Sequence, residues 1–314
     1  MTRPSRLSHA RQFGTVLGLL ALSAALWALT PHFLTVPNLL NIAQQTSINA
    51  IVAVGMTFVI ISGGIDLSVG SIVALSGVAL GVALQGGQAL PVALAIALGT
   101  GMACGLVNGA IVSWGGLPPF IVTLGMMSIV RGAALVVTEG RPVSGFDPLF
   151  RSVATGQPGG VPAPILATMA VYLLAHLVLT RTTFGRYVYA IGGNEEATRL
   201  AGVSVRFHKT MIYATSGLVS AIAAVLLTAR LNSAQPIAGT MYELDAIAAT
   251  VIGGTSLMGG EGSLAGTLVG ALIMGVLRNG LNLLGVSSFL QQIVIGAVII
   301  GAVLVDTVLK RSRN

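Results

Sequence analysis

The stretch "GMTFVIISGGIDLSVGS" at 55–71 sets one aspartate, Asp66, inside apolar sequence, between the pair Gly63-Gly64 and the serine-glycine-serine cluster Ser68, Gly70 and Ser71. A carboxylate in such surroundings can bind or exchange a cation, as paired ionisable residues do inside the spans of ion-coupled carriers. It can also cap a helix from Leu67 by accepting the backbone N–H of Ser68 or Val69. The other acids near membrane depth are Glu243, Asp245 and Glu261, with Asp306 near the end of the last apolar run. Glu261 shares a glycine-rich break, and "TMYE" at 240–243 reads as a capping box, Thr240 at the N-cap and Glu243 reaching back to it. Arg131, Arg230 and Arg278 either line a pathway, pair with an acid or snorkel to an interface.

Uncharged hydrogen-bonding side chains are more plentiful. "NIAQQTSIN" at 41–49 gathers Asn41, Gln44, Gln45, Thr46, Ser47 and Asn49, and Asn108, Asn279, Asn282, Gln291 and Gln292 add others. Amides and hydroxyls of this kind suit a path for a neutral polyhydroxylated solute, or they stitch helices together.

Enzymatic chemistry has little to work with. The histidines His9, His32, His176 and His208 are dispersed, and neither H-E-x-x-H nor G-x-S-x-G occurs. Lys209 and Lys310 follow no P-loop pattern, so an ATP-driven role requires a partner to hydrolyse the nucleotide. A metal site, a cofactor held by this chain and an intramembrane enzyme are all disfavoured.

The elements that must position these residues are membrane helices. Of 314 residues 54% are hydrophobic and 8% charged, against about 25% charged in soluble domains, so a water-facing surface cannot be covered. Apolar runs long enough to span occur at 13–30, 39–62, 67–84, 89–113, 119–138, 163–180, 211–230, 242–258, 263–284 and 287–308, the eighth being alternatively re-entrant. Arg3, Arg6 and Arg11 ahead of the first run resemble a signal peptide, but the run is of span length and reads as retained.

Arg3, Arg6 and Arg11, then Arg181, Arg186, Arg199, Arg206 and Lys209, then Lys310, Arg311 and Arg313 make eleven of the sixteen basic residues. The positive-inside rule places both termini and the 181–210 loop in the cytoplasm and 139–162 outside. The expected architecture is therefore an all-α integral membrane protein of about ten transmembrane helices with glycine-rich breaks. Cytoplasmic tails at 1–12 and 309–314 flank a transmembrane domain at 13–308. The net charge of +7 reflects this topology; no basic face interleaved with aromatics indicates nucleic acid. A weak internal echo links 62–77 to 252–270: each holds a glycine pair, a leucine (Leu67, Leu257) and a Gly-Ser pair opening a helix.

The 181–209 segment is the most structured polar stretch. Asn194 can cap a short helix whose first turn holds Glu195 and Glu196, and Gly202 can end it. Such a helix at a membrane face either docks on a partner or is a solvated connector.

Three stretches, "GMTFVIISGGIDLSVGSIVALSG", "GRYVYAIGGNEEATRLAGV" and the run from "ARLNSAQPIAGTMYELD" to "GVSSFLQQIV", closely resemble the ribose-type sugar permeases of bacterial ABC importers. The resemblance extends from about residue 37 onward. It implies a multi-pass inner-membrane subunit that pairs with a second copy of itself. It also implies a cytoplasmic ATPase with two nucleotide-binding domains carrying ATP and Mg, and a periplasmic sugar-binding protein. In such importers a short cytoplasmic helix with an E-A-A…G signature inserts into the ATPase. The resemblance assigns that role to Glu195, Glu196, Ala197, Thr198, Arg199 and Gly202, although Glu196 stands where the signature has alanine. The translocation path or gate is expected among Gln44, Gln45, Asn49, Gly63, Gly64, Asp66, Ser68, Asn279 and Asn282. The alternative is a stand-alone secondary carrier or facilitator for a neutral polar solute.

Overall fold

A computed structural model describes the backbone of residues 6–311 and the side chains of residues 14–301 and Leu304. The terminal basic side chains used for orientation (Arg3, Arg6, Arg11, Lys310, Arg311, Arg313) and Asp306 lie outside the described residues. In chain order the helices are α1 Arg6–Leu29, α2 Val36–Ile61, α3 Val69–Gln85, α4 Leu90–Trp114, α5 Pro119–Thr138, α6 Pro148–Thr155, α7 Ala163–Arg181, α8 Thr183–Gly193, α9 Glu195–Leu200, α10 Val205–Leu231, α11 Tyr242–Ile252, α12 Leu264–Leu283 and α13 Ser288–Arg311. Two short strands, β1 Val143–Ser144 and β2 Ser233–Ala234, pair antiparallel.

Proline sets where many of these helices begin. Pro37, Pro91, Pro119, Pro148 and Pro164 occupy the first or second position of α2, α4, α5, α6 and α7. Their fixed φ matches the helix, and their missing N–H is one no helical partner would accept from. Asp147, Thr182, Asn194 and Ser263 cap α6, α8, α9 and α12 through their side-chain oxygens.

Among the described residues six helices, α2, α4, α5, α7, α10 and α12, are long and apolar enough to cross a membrane, and shorter apolar stretches lie at Gly14–Leu29, Val69–Gln85 and Ser288–Gly301. Burial separates centre from rim: 83% and 72% of the apolar windows of α2 and α10 are inside the bundle, against 22–28% for α4, α5 and α7. A helix apolar on all sides fits such a central position.

One open sequence expectation is narrowed and another is corrected. The eighth apolar run does not form one helix over 242–258: α11 has 11 residues, a length of about 16 Å against a hydrocarbon core of about 30 Å. The chain reaches α11 through non-helical backbone, where Arg131 Nη1 donates to the carbonyls of Pro236 (2.9 Å) and Ala238 (2.6 Å). "TMYE" is not a capping box: the N-cap of α11 is Met241, in left-handed conformation at φ 71°, and Thr240 donates its hydroxyl to the carbonyl of Ile237 at 2.8 Å. The backbone of Gly239 touches that of Gly70, with Glu243 beside it. That contact fixes the turn ahead of α11 and draws Glu243 toward α3.

Small residues set the tightest packing. Gly101, Gly105 and Gly109 recur every four residues along α4 and lie against Gly217, Tyr213 and Thr210 of α10; a Cβ on Gly105 would overlap the Tyr213 carbonyl. Such spacing lets membrane helices approach to backbone contact. α10 also starts earlier than the expected 211, at Val205, and the expected 181–210 loop is largely the helices α8 and α9.

Candidate functional site

Three glycine pairs meet at one junction. The Gly260 N–H donates to the carbonyl of Ile61, the last residue of α2, at 2.8 Å. Gly192, at the end of α8, lies flat against that same Ile61 carbonyl and the Gly260 nitrogen, and Gly259 faces both Gly192 and Gly63. Gly63, Gly259 and Gly260 have φ of 80°, 83° and 75°, a conformation glycine adopts without steric cost. Tyr189 of α8 donates its hydroxyl to the Gly262 carbonyl at 2.8 Å. The two breaks that echo each other in sequence, at 62–68 and 253–263, are thus clamped together by α8.

From this clamp α9 projects. The Asn194 side chain accepts the Ala197 N–H at 2.8 Å, the Thr198 hydroxyl donates to the Asn194 carbonyl at 2.7 Å, and Gly202 at φ 84° turns the chain toward α10. Glu195 pairs with Lys209 of α10 at 2.9 Å, and Glu196 with Arg199 at 3.3 Å. Leu200 is 80% exposed, an apolar side chain left uncovered beside these charges. Glu195, Arg199, Arg206 and Lys209 border a groove of about 690 Å³ floored by Trp114, Leu117 and Pro118. The Arg206 guanidinium sits 5.5 Å from the Trp114 ring.

Asp66 is fully buried and bonds to three donors. Its Oδ1 accepts the Ser68 N–H (3.0 Å) and hydroxyl (2.6 Å), and its Oδ2 accepts the Ser216 hydroxyl of α10 at 2.9 Å. Asn108 of α4 donates to the Ser68 hydroxyl at 2.8 Å. The N-cap position of α3 belongs to Ser68, so Asp66 organises the turn before the helix and ties the break to α4 and α10. Gly64 packs against the Tyr213 hydroxyl in the same region.

The middle of α2, the last turn of α10, the first turn of α11 and the second half of α12 line an open-sided cavity of about 190 Å³. Gln45, Asn49, Arg230, Tyr242, Asp245 and Arg278 give it polar walls. Arg278 Nη2 lies 2.9 Å from both oxygens of Asp245, and Asn49 Nδ2 donates to Oδ2 at 3.1 Å.

Of the residues expected on the path, Gln45 and Asn49 line this cavity, and Gln44 offers its carbonyl to Arg230 at 3.4 Å. Gly63, Gly64, Asp66 and Ser68 lie at the break instead. Asn279 exchanges paired amide bonds with Asn38 (2.9 and 3.0 Å), and Asn282 accepts from Gln291 at 2.8 Å, so both join helices to their neighbours. Sequence reasoning did not place Thr46, Arg230, Tyr242, Asp245 and Arg278 together. Asp245 and Arg278 are 33 residues apart on different helices, and no local pattern links them.

A bundle of apolar helices around a polar cavity, with a capped and exposed helix fastened to its two backbone breaks, defines an integral membrane permease. The chain belongs to the family described as branched-chain amino acid transport system / permease component, whose model matches residues 38–303. It is 53% identical to the ribose import permease protein RbsC of Escherichia coli K12 over 297 residues, covering 93% of this chain and 92% of the relative. Identity to RbsC of Bacillus subtilis is 47% over 298 residues (94% and 92% covered), and to the L-arabinose transport system permease protein AraH of Escherichia coli K12 it is 40% over 302 residues (96% and 92%). No solved structure matches the chain.

Proposed function

We propose that this chain is the transmembrane permease subunit of a binding-protein-dependent ABC importer, carrying ribose or a similar monosaccharide across the bacterial inner membrane. The observation that carries this reading is 53% identity to a ribose import permease along almost the whole of both chains. ATP and Mg act on a separate cytoplasmic subunit with two nucleotide-binding domains. A periplasmic sugar-binding protein delivers the solute, and a second copy of this permease completes the path.

In this reading the chain crosses the lipid bilayer ten times with both termini inside, and α11 with the non-helical segment before it makes one broken crossing. Irregular backbone at such depth is tolerated where protein surrounds it or a cavity adjoins it. The exposed helix α9, with Glu195, Glu196, Ala197, Thr198, Arg199 and Gly202, docks on the ATPase. Closure of the ATPase displaces α8, and the glycine junction passes that displacement to the ends of α2 and α11.

Proteoliposomes holding the permease, its ATPase and the loaded binding protein are expected to hydrolyse ATP faster with sugar and to accumulate labelled ribose. Sugar uptake at equal rate without the ATPase identifies a stand-alone carrier and overturns the proposal.

A further inference from the structure

We propose that the cavity between α2, α10, α11 and α12 is a direct contact site for the transported solute, built for a neutral polyol. The proposal rests on the permease reading above. It assigns solute contact to Thr46, Asn49, Arg230, Asp245 and Arg278, joined by Gln45.

Size is the first argument. The cavity's 190 Å³ exceeds by more than tenfold the roughly 10–15 Å³ that one water requires, yet lies below the roughly 300–1,000 Å³ of pockets for drug-sized ligands. A monosaccharide falls between those limits.

Hydrogen-bonding capacity is the second. Thr46 is 5% exposed, and its hydroxyl oxygen, packed against Gly275 of α12, makes no hydrogen bond within the protein; neither does Asn49 Oδ1. Burying such atoms without a partner is costly, and a native structure keeps few of them. Asn49 keeps this buried, unpartnered oxygen beside the amide nitrogen already given to Asp245. Asp245 accepts three bonds in all, from a carboxylate with about four acceptor sites. Arg230 contributes donors, its bond to the Gln44 carbonyl being long at 3.4 Å. The unused capacity includes both donors and acceptors, which is what a sugar hydroxyl, itself both, can satisfy.

Charge is the third. Arg278 and Asp245 neutralise each other as a hydrogen-bonded pair, and Arg230, whose protein partner here is the Gln44 carbonyl, offers a sugar oxygen an N–H donor. The apolar wall supplied by Ile48, Leu227 and Met274, with the Tyr242 ring, suits the C–H faces of a sugar.

The test uses the complete transporter, permease with ATPase and binding protein, in proteoliposomes. Uptake is measured with ribose and with deoxy analogues lacking single hydroxyls, each expressed as sugar moved per ATP hydrolysed. Thr46→Val keeps the shape and removes the hydroxyl, and is expected to lower ribose moved per ATP by about 2–10-fold, the worth of one hydrogen bond. Thr46→Ser is expected to restore it. At least one deoxy analogue should be indifferent to Thr46→Val, because the hydroxyl that Thr46 meets is already gone. Arg230→Gln should likewise change the order of preference across the panel.

An unchanged ratio and unchanged preferences in both variants overturn the contact site. A uniform fall across all sugars, with ATP hydrolysis falling in step, also overturns it by assigning these residues to structure. Preferential uptake of a sugar phosphate over the free sugar overturns the neutral class. If wild-type protein shows no ATP-dependent sugar uptake at all, the importer reading fails, and this outcome is distinct from the others.

Discussion

Arg278 Nη2 stands 2.9 Å from each carboxylate oxygen of Asp245, fastening the first turn of the short helix α11 to α12. Asp245 is 5% exposed at its side chain and Arg278 37%, so the acid is the member that depends on the pair. Without Arg278 a carboxylate inside the bundle would keep only the Asn49 amide.

Arg278→Ala is therefore expected to destabilise the permease by about 3 kcal/mol, the lower end for breaking a buried pair because Arg278 is partly open. Replacing both residues together, Asp245→Leu with Arg278→Met, should cost less than Arg278→Ala alone. Thermal unfolding in detergent measures both. A double variant less stable than the single one contradicts the assignment.

At Asp66 the expected outcome separates shape from bonding. Asp66→Ala leaves the hydroxyls of Ser68 and Ser216 without their acceptor inside the bundle, costing about 2–4 kcal/mol. Asp66→Asn retains an acceptor for Ser68, and the Ser216 hydroxyl can turn to accept from the new amide, so its cost should be well under that of alanine. Equal melting temperatures for the two variants would show that charge, and not hydrogen bonding, holds the break.

Gly192→Ala is expected to uncouple the protein at the junction. Its methyl group would overlap the Ile61 carbonyl and lie 2.6 Å from the Gly260 nitrogen, both backbone atoms that cannot swing aside. Gly193, with open space around it, should accept alanine. Sugar-stimulated ATP hydrolysis of the two variants in proteoliposomes provides the comparison, with loss at 192 and retention at 193.

Glu195→Ala removes an ion pair to Lys209 in which Glu195 is half exposed, so stability should change by no more than about 1 kcal/mol. Membrane insertion is expected to stay intact while sugar-stimulated ATP hydrolysis falls, and the same holds for Arg199→Ala. Unaltered stimulation in both variants would remove α9 from the coupling path.

Tyr189→Phe deletes the bond from α8 to the Gly262 carbonyl. Burial pushes the Tyr189 phenol up to about 12, so its proton stays in place well past the ordinary value of about 10. Stimulated ATP hydrolysis should therefore fall in the variant by a factor that stays constant between about pH 6 and 9. A pH-dependent factor would point to another group.

Sequence alone determined the solvent and the local punctuation. A chain with so little charge has to fold in lipid, and proline at the first turns of α2, α4, α5, α6 and α7 marks helix starts through φ alone. Asn194 and Gly202 bound α9 as expected, because capping and positive φ depend on neighbours within a few residues. The run at 242–258 left a full span and a re-entrant element both open, because hydrophobicity reports burial in lipid or protein without distinguishing a crossing from a half-length helix. Only the tertiary structure decided how distant polar residues pair. It joined Asp66 to Ser216 across 150 residues and Asp245 to Arg278 across 33, and brought Gly63, Gly192 and Gly260 to one point. Each of these arrangements depends on which helix faces come together. In a bundle whose helices are apolar nearly all round, periodicity carries no record of that choice.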